Sequence, residues 1–76
     1  MSVFYDKVLK ECEFFLNDGA KRFLDRQISA HLSKTPETVD FKDKENLARW
    51  IRISASLVLS KEDAEELGRR IISLEK

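Results

Sequence analysis

A shortage of chain-reversing residues is the strongest constraint on this sequence, which has two glycines and one proline in 76 positions. Tight β-hairpins depend on turns with positive φ, which glycine adopts at the least steric cost. A sheet of several strands would therefore have too few turns. Helices need only caps, and Ser, Asp and Thr stand at several candidate helix starts. The expected fold is all-α, a compact bundle of about four helices with short connections.

This length allows one domain, residues 1–76, with one core. A chain of this size buries only about 60% of the surface it exposes when unfolded, so self-association or a cross-link is expected to add stability. Cys12 is the only cysteine, which rules out an intrachain disulfide and suits a reducing compartment. The segment Met1-Ser2-Val3-Phe4-Tyr5-Asp6-Lys7 lacks the charged-then-apolar pattern of a leader. Nowhere does an apolar run approach the roughly 20 residues of a membrane span. The protein is expected in the cytoplasm and not in a membrane.

Apolar spacing sets the helices. Ser2 is placed to cap a first helix over Val3 to Leu16, with Phe4, Val8, Cys12 and Phe15 on one face. Ala20, Phe23, Leu24, Ile28 and Leu32 form a second stripe. At about 100° per residue it lies roughly 120° around from the first, so a break or kink near Gly19 is expected, with Asn17-Asp18-Gly19 as stop and restart, followed by a helix from Ala20 to Ser33. Thr35-Pro36 starts a short turn, Val39 and Phe41 pin the connection to the core, and Asp40 or Asp43 caps a third helix. That helix carries Leu47, Trp50, Ile51, Ile53, Leu57 and Val58 around most of its circumference, and so is expected to be central and covered on several sides. Ser60 caps a fourth, with Ala64, Leu67, Gly68, Ile71 and Leu74 inward. Glu65 with Arg69 and Glu66 with Arg70 are spaced to pair outside.

No constellation of residues points to catalysis. A metal site needs three or four ligands, and the chain has one cysteine and one histidine. Cys12 falls on an apolar stripe, where a thiol acts as a small hydrophobe. The spacing of His31 and Lys34 resembles that of His and Lys in histidine phosphotransfer bundles. Thr35-Pro36 follows, however, and ends the helix, so His31 is expected in a last helical turn beside the negative end of the dipole. With no glycine-rich loop either, the chain is expected to be no enzyme and to take no cofactor, metal or small-molecule substrate.

Binding is the remaining class. Fourteen basic residues balance fourteen acidic ones, so no long-range field draws in polyanions. Phe14 lies off the main stripe of the first helix, while Trp50 and Ile53 widen that of the third. These three are the candidate partner-binding residues of a small interaction or regulatory module that self-associates, as a homodimer, or offers a helical groove to another protein. The alternative is a helical nucleic-acid-binding module that uses Arg22, Arg26, Arg49 and Arg52 on phosphates, with base contacts from Gln27 or Ser29. Against it stand possible local pairs, Asp18 with Arg22 and Glu45 with Arg49.

Overall fold

Local capping starts the chain as its sequence suggests. In the computed structural model, which describes residues 2–75, the Ser2 hydroxyl accepts a hydrogen bond from the backbone N–H of Tyr5 at 3.0 Å and opens α1 (Val3–Leu16). The break falls within the expected Asn17-Asp18-Gly19 segment. Asn17, at φ 54° and ψ −126°, turns the chain, whereas Gly19 has an ordinary φ of −81°. A single 3-10 turn, Asn17–Gly19, leads into α2 (Ala20–Gln27).

The second helix differs from its expected form. Its α-geometry ends at Gln27 and gives way to a π turn, Ile28–Leu32, which Ser33 closes in the left-handed conformation at φ 54° and ψ 38°. After a 3-10 turn, Phe41–Asp43, come α3 (Lys44–Ala55) and α4 (Lys61–Ile72). Three helices of 12 residues or more, α1, α3 and α4, thus make up the fold rather than four, with α2 only 8 residues long. There is no strand among the described residues.

Side-chain pairs show how these elements lie. Tyr5 near the start of α1 donates its hydroxyl proton to Asp25 near the end of α2. Lys7 reaches the carbonyl of Glu75, and Glu11 meets Arg70, so α1 and α4 run antiparallel. Lys44 reaches the carbonyl of Leu74, and a Cβ on Gly68 would lie 3.5 Å from Arg52, which sets α3 against α4 in the same sense. Gln27 bonds Ser54, and His31 stacks on Trp50, linking α2 and its π turn to α3. Each element therefore touches two neighbours around one core.

That core takes Phe4, Tyr5, Val8 and Cys12 from α1, Leu24 and Ile28 from the second element, Leu47 and Ile51 from α3, and Leu67 and Ile71 from α4. Helix α3 is not covered all round as expected. It buries one side only, Leu47, Ala48, Ile51 and Ala55, while Ile53 is 51% exposed. Leu57 and Val58 lie past the helix end in the turn to α4, 84% and 66% exposed. Two neighbours and a core behind them leave the outer side of α3 without a partner.

One end of the fold is closed by residues 33–43. Val39 is buried, and Phe41 lies half-buried against Phe4 with ring centroids 5.0 Å apart. Neither candidate aspartate caps α3 with its side chain: Asp40 accepts from the N–H of Lys42 at 2.9 Å and Asp43 accepts from the N–H of Asp40 at 3.0 Å, so together they box the 3-10 turn that precedes α3. Lys34 adds an ion pair to Asp43 at 2.8 Å. Ser60 caps α4 through the N–H of Asp63 at 3.1 Å.

Candidate interaction surface

The opposite end holds the turns Asn17–Gly19 and 56–60, and here the apolar surface is open. Positions 19, 22, 23, 26, 27, 30 and 31 recur at helical spacing, so they line one face of α2 and its π turn. Together with Ser54, Leu57 and Val58 they form a groove of about 450 Å³. Its floor includes Phe23 and Gln27. Gln27 is 4% exposed, and its amide oxygen accepts a hydrogen bond from the Ser54 hydroxyl at 2.9 Å. That bond satisfies a polar group whose burial would otherwise be costly. It also removes Gln27 as an expected base-edge contact.

Charge along the groove has one sign. Arg22 and Arg26 line it, and no lining residue carries a carboxylate. The expected pairs of Asp18 with Arg22 and Glu45 with Arg49 do not form. Among the described residues none of Arg22, Arg26, Arg49 and Arg52 makes a salt bridge. Asp25 instead binds Lys21, one helical turn before it, at 2.9 Å and accepts from the Tyr5 hydroxyl of α1 at 2.5 Å. Burial first, and then the Asp25 bond, push the Tyr5 hydroxyl up to about 12, with Lys21 acting the other way.

The four candidate arginines are not brought together. Arg22 and Arg26 rim the groove, whereas Arg52 lies over Gly68 of α4 and shares a shallower depression with Ile53, Ser56, Lys61, Ala64 and Glu65. Arg49 is exposed roughly 60° around α3 from Arg52, and Trp50, facing the groove side, is roughly 160° from it. A single phosphate-binding face through all four is absent.

The three candidate partner residues also separate. Ile53 is exposed at the depression beside α4. Trp50 is half-buried under the His31 ring, with centroids 4.0 Å apart and planes 3° from parallel. Phe14 is 67% exposed but packs edge-on against Phe15, and the Arg70 guanidinium lies 4.5 Å from its ring centroid. Glu11 and Glu66 hold that guanidinium in place at 3.3 and 3.4 Å. Glu66 sits three residues before Arg69 and four before Arg70 and pairs with both, so the expected Glu65–Arg69 pair gives way to it. Hydrogen bonding from Arg69 first, against some burial, lowers the Glu66 carboxyl below its usual value.

Sequence reasoning missed Leu57 and Val58 as surface residues, because it placed them on a covered helix. The signal for them was present in Ser60, whose capping role forces the chain out of α3 before it.

Among the described residues no three His, Cys, Asp or Glu side chains gather as a metal site would require. Among the described residues no helix is long and apolar enough to cross a membrane. Cys12 is fully buried, and burial first, with the Glu11 and Glu13 charges adding to it, pushes its thiol up to about 12. A thiol so held is a poor nucleophile at neutral pH, because the thiolate is the reactive form. No family model matches this chain, and neither a curated protein nor a solved structure matches it.

Proposed function

We propose that this chain is a small cytoplasmic protein–protein interaction module without catalytic activity, and that it binds through its open end. The observation that carries this reading is the apolar ridge of Ile53, Leu57 and Val58, exposed by 51%, 84% and 66% at the end of α3. Water contact at three neighbouring large apolar side chains is unfavourable, and burying each is worth about 1.5–3 kcal/mol. A partner surface is the ordinary way to bury them.

Self-association uses the Ile53 side of the ridge. A twofold contact lays a patch against its own copy, so it favours a patch carrying both signs of charge. Arg52, Lys61 and Glu65 supply both signs around Ile53. Light scattering coupled to gel filtration, over a range of concentrations, should show a dimer that Ile53→Asp returns to monomer. Phe14→Glu should leave it intact, since Arg70 already covers that ring. A monomer at every concentration would remove the self-association.

A second reading, nucleic-acid binding, is favoured by one observation, the pair Arg22 and Arg26 with no carboxylate in the groove beside them. It requires an affinity for a short oligonucleotide that falls steeply with salt. No binding at low salt would eliminate it.

A further inference from the structure

The groove between α2 and the end of α3 differs from the Ile53 flank in shape and in charge, and both differences bear on its occupant. Its long wall runs from Gly19 along α2 and into the π turn at His31, roughly three helical turns. The facing wall is Ser54 in the last turn of α3 with Leu57 and Val58 in the turn that follows it. A largely apolar channel with one long helical wall and an apolar rim opposite it accepts a further helix laid along α2, whose anchors at i, i+3 or i+4, and i+7 fill it.

Arg22 and Arg26 stand one turn apart on the rim, and no salt bridge engages either among the described residues. Positive charge here is local, because the whole chain is neutral. Complementarity therefore calls for carboxylates on the occupant, spaced along one edge of its apolar stripe.

Neither Ile53 nor Phe14 of a second copy offers such a surface. Its exposed Ile53 lies among Arg52 and Lys61 as well as Glu65, and Phe14 lies under Arg70. A second copy would bring further cations to the rim. Nucleic acid is also a poor match, since two arginines make few phosphate contacts and the floor between them is apolar. We infer that this groove takes an acidic amphipathic helix from another protein. Apolar side chains of that helix seat on Phe23, Leu57 and Val58, and its carboxylates pair with Arg22 and Arg26.

The inference rests on the open end being a binding face, and its test separates the two. The probes are two fluorescein-labelled helical peptides of about five turns with the same leucine stripe. One carries glutamates along the flank at four-residue spacing, and the other carries lysines there. Fluorescence anisotropy should show the glutamate peptide binding at least tenfold tighter than the lysine peptide, with the advantage shrinking as salt rises. Arg22→Glu with Arg26→Glu should reverse the preference. Both arginines are exposed, and an unchanged urea midpoint would show that the variant stays folded.

Equal affinity for both peptides, lost in Leu57→Asp, would overturn the acidic partner while retaining the open end as the binding face. A solution dimer broken by the two arginine reversals would place a second copy in the groove and overturn the inference. No binding of either peptide below about 1 mM would also overturn it, and would leave the mass measurement to decide the broader reading.

Discussion

The two ends of this molecule are built from similar residues and finished differently. At the closed end, an eleven-residue connection, 33–43, folds back over the core: Val39 is buried, Phe41 packs on Phe4, and Asp40, Asp43 and Lys34 satisfy one another. At the open end the connections are too short to fold back. Asn17–Gly19 and the turn after Ala55 join their helices directly and leave Leu57 and Val58 in water. Connection length, more than composition, decides which apolar residues become core. The lesson is that stability is concentrated at one end and binding capacity at the other, as expected when exposed elements carry few buried contacts.

The largest contrast should come from paired truncations followed by urea unfolding. Phe4→Ala, at a side chain 1% exposed, should cost about 3–5 kcal/mol, whereas Leu57→Ala, at 84% exposed, should change stability by no more than about 0.5 kcal/mol. Similar midpoints for the two variants would break the comparison. Val39→Ala should then cost about 2 kcal/mol, from two lost methyl groups and the cavity they leave. A negligible loss would mean that the 33–43 connection is not part of the closed core.

Asp43→Asn should cost about 1–2 kcal/mol at neutral pH by removing the Lys34 pair and weakening the bond to the Asp40 N–H. Burial pushes the Asp43 carboxyl up, but the bonds from Lys34 and the Asp40 backbone outweigh it, and the group lies below its ordinary 3.8. A depressed folded value means that its stabilisation is complete above pH 3.8 and is lost as pH falls through that lower value. The gap between wild type and Asp43→Asn should therefore close in acid, and a gap that persists there would sink the assignment.

Tyr5 supplies the opposite sign. Its folded value of about 12 lies above the ordinary 10.0, so its stabilisation is complete below pH 10.0 and is lost as pH rises toward 12. Tyr5→Phe should flatten the alkaline limb of a stability–pH curve, and an unchanged limb would assign it to other groups. The one expected gain belongs to the open end. Asn17 has a Cβ at φ 54°, so Asn17→Gly should relieve strain and raise stability by about 1 kcal/mol. A loss of stability there would show that the Asn17 side chain contributes more than its backbone conformation costs.

Much of the fold was legible because helix signals are local. The Ser2 and Ser60 hydroxyls cap the helices they precede, the bounds of α1 match the expected ones, and the core faces of α1 and α4 follow the apolar period. The errors arise where two elements meet. The second helix widens at Ile28, and Trp50 is covered by a histidine from another element. The candidate surface was half legible: Arg22, Arg26 and Ile53 could be named, but the groove needs Phe23 beside Val58, and no spacing along the chain states that proximity.

By itself the sequence determined the helical class, the caps and the inward faces, because each follows from residues within a turn or two of one another. Tertiary structure alone decided which parts of the apolar surplus stay in water. That depends on whether some other segment is long enough and close enough to cover them, which the 33–43 connection is for Phe4 and nothing among the described residues is for Leu57.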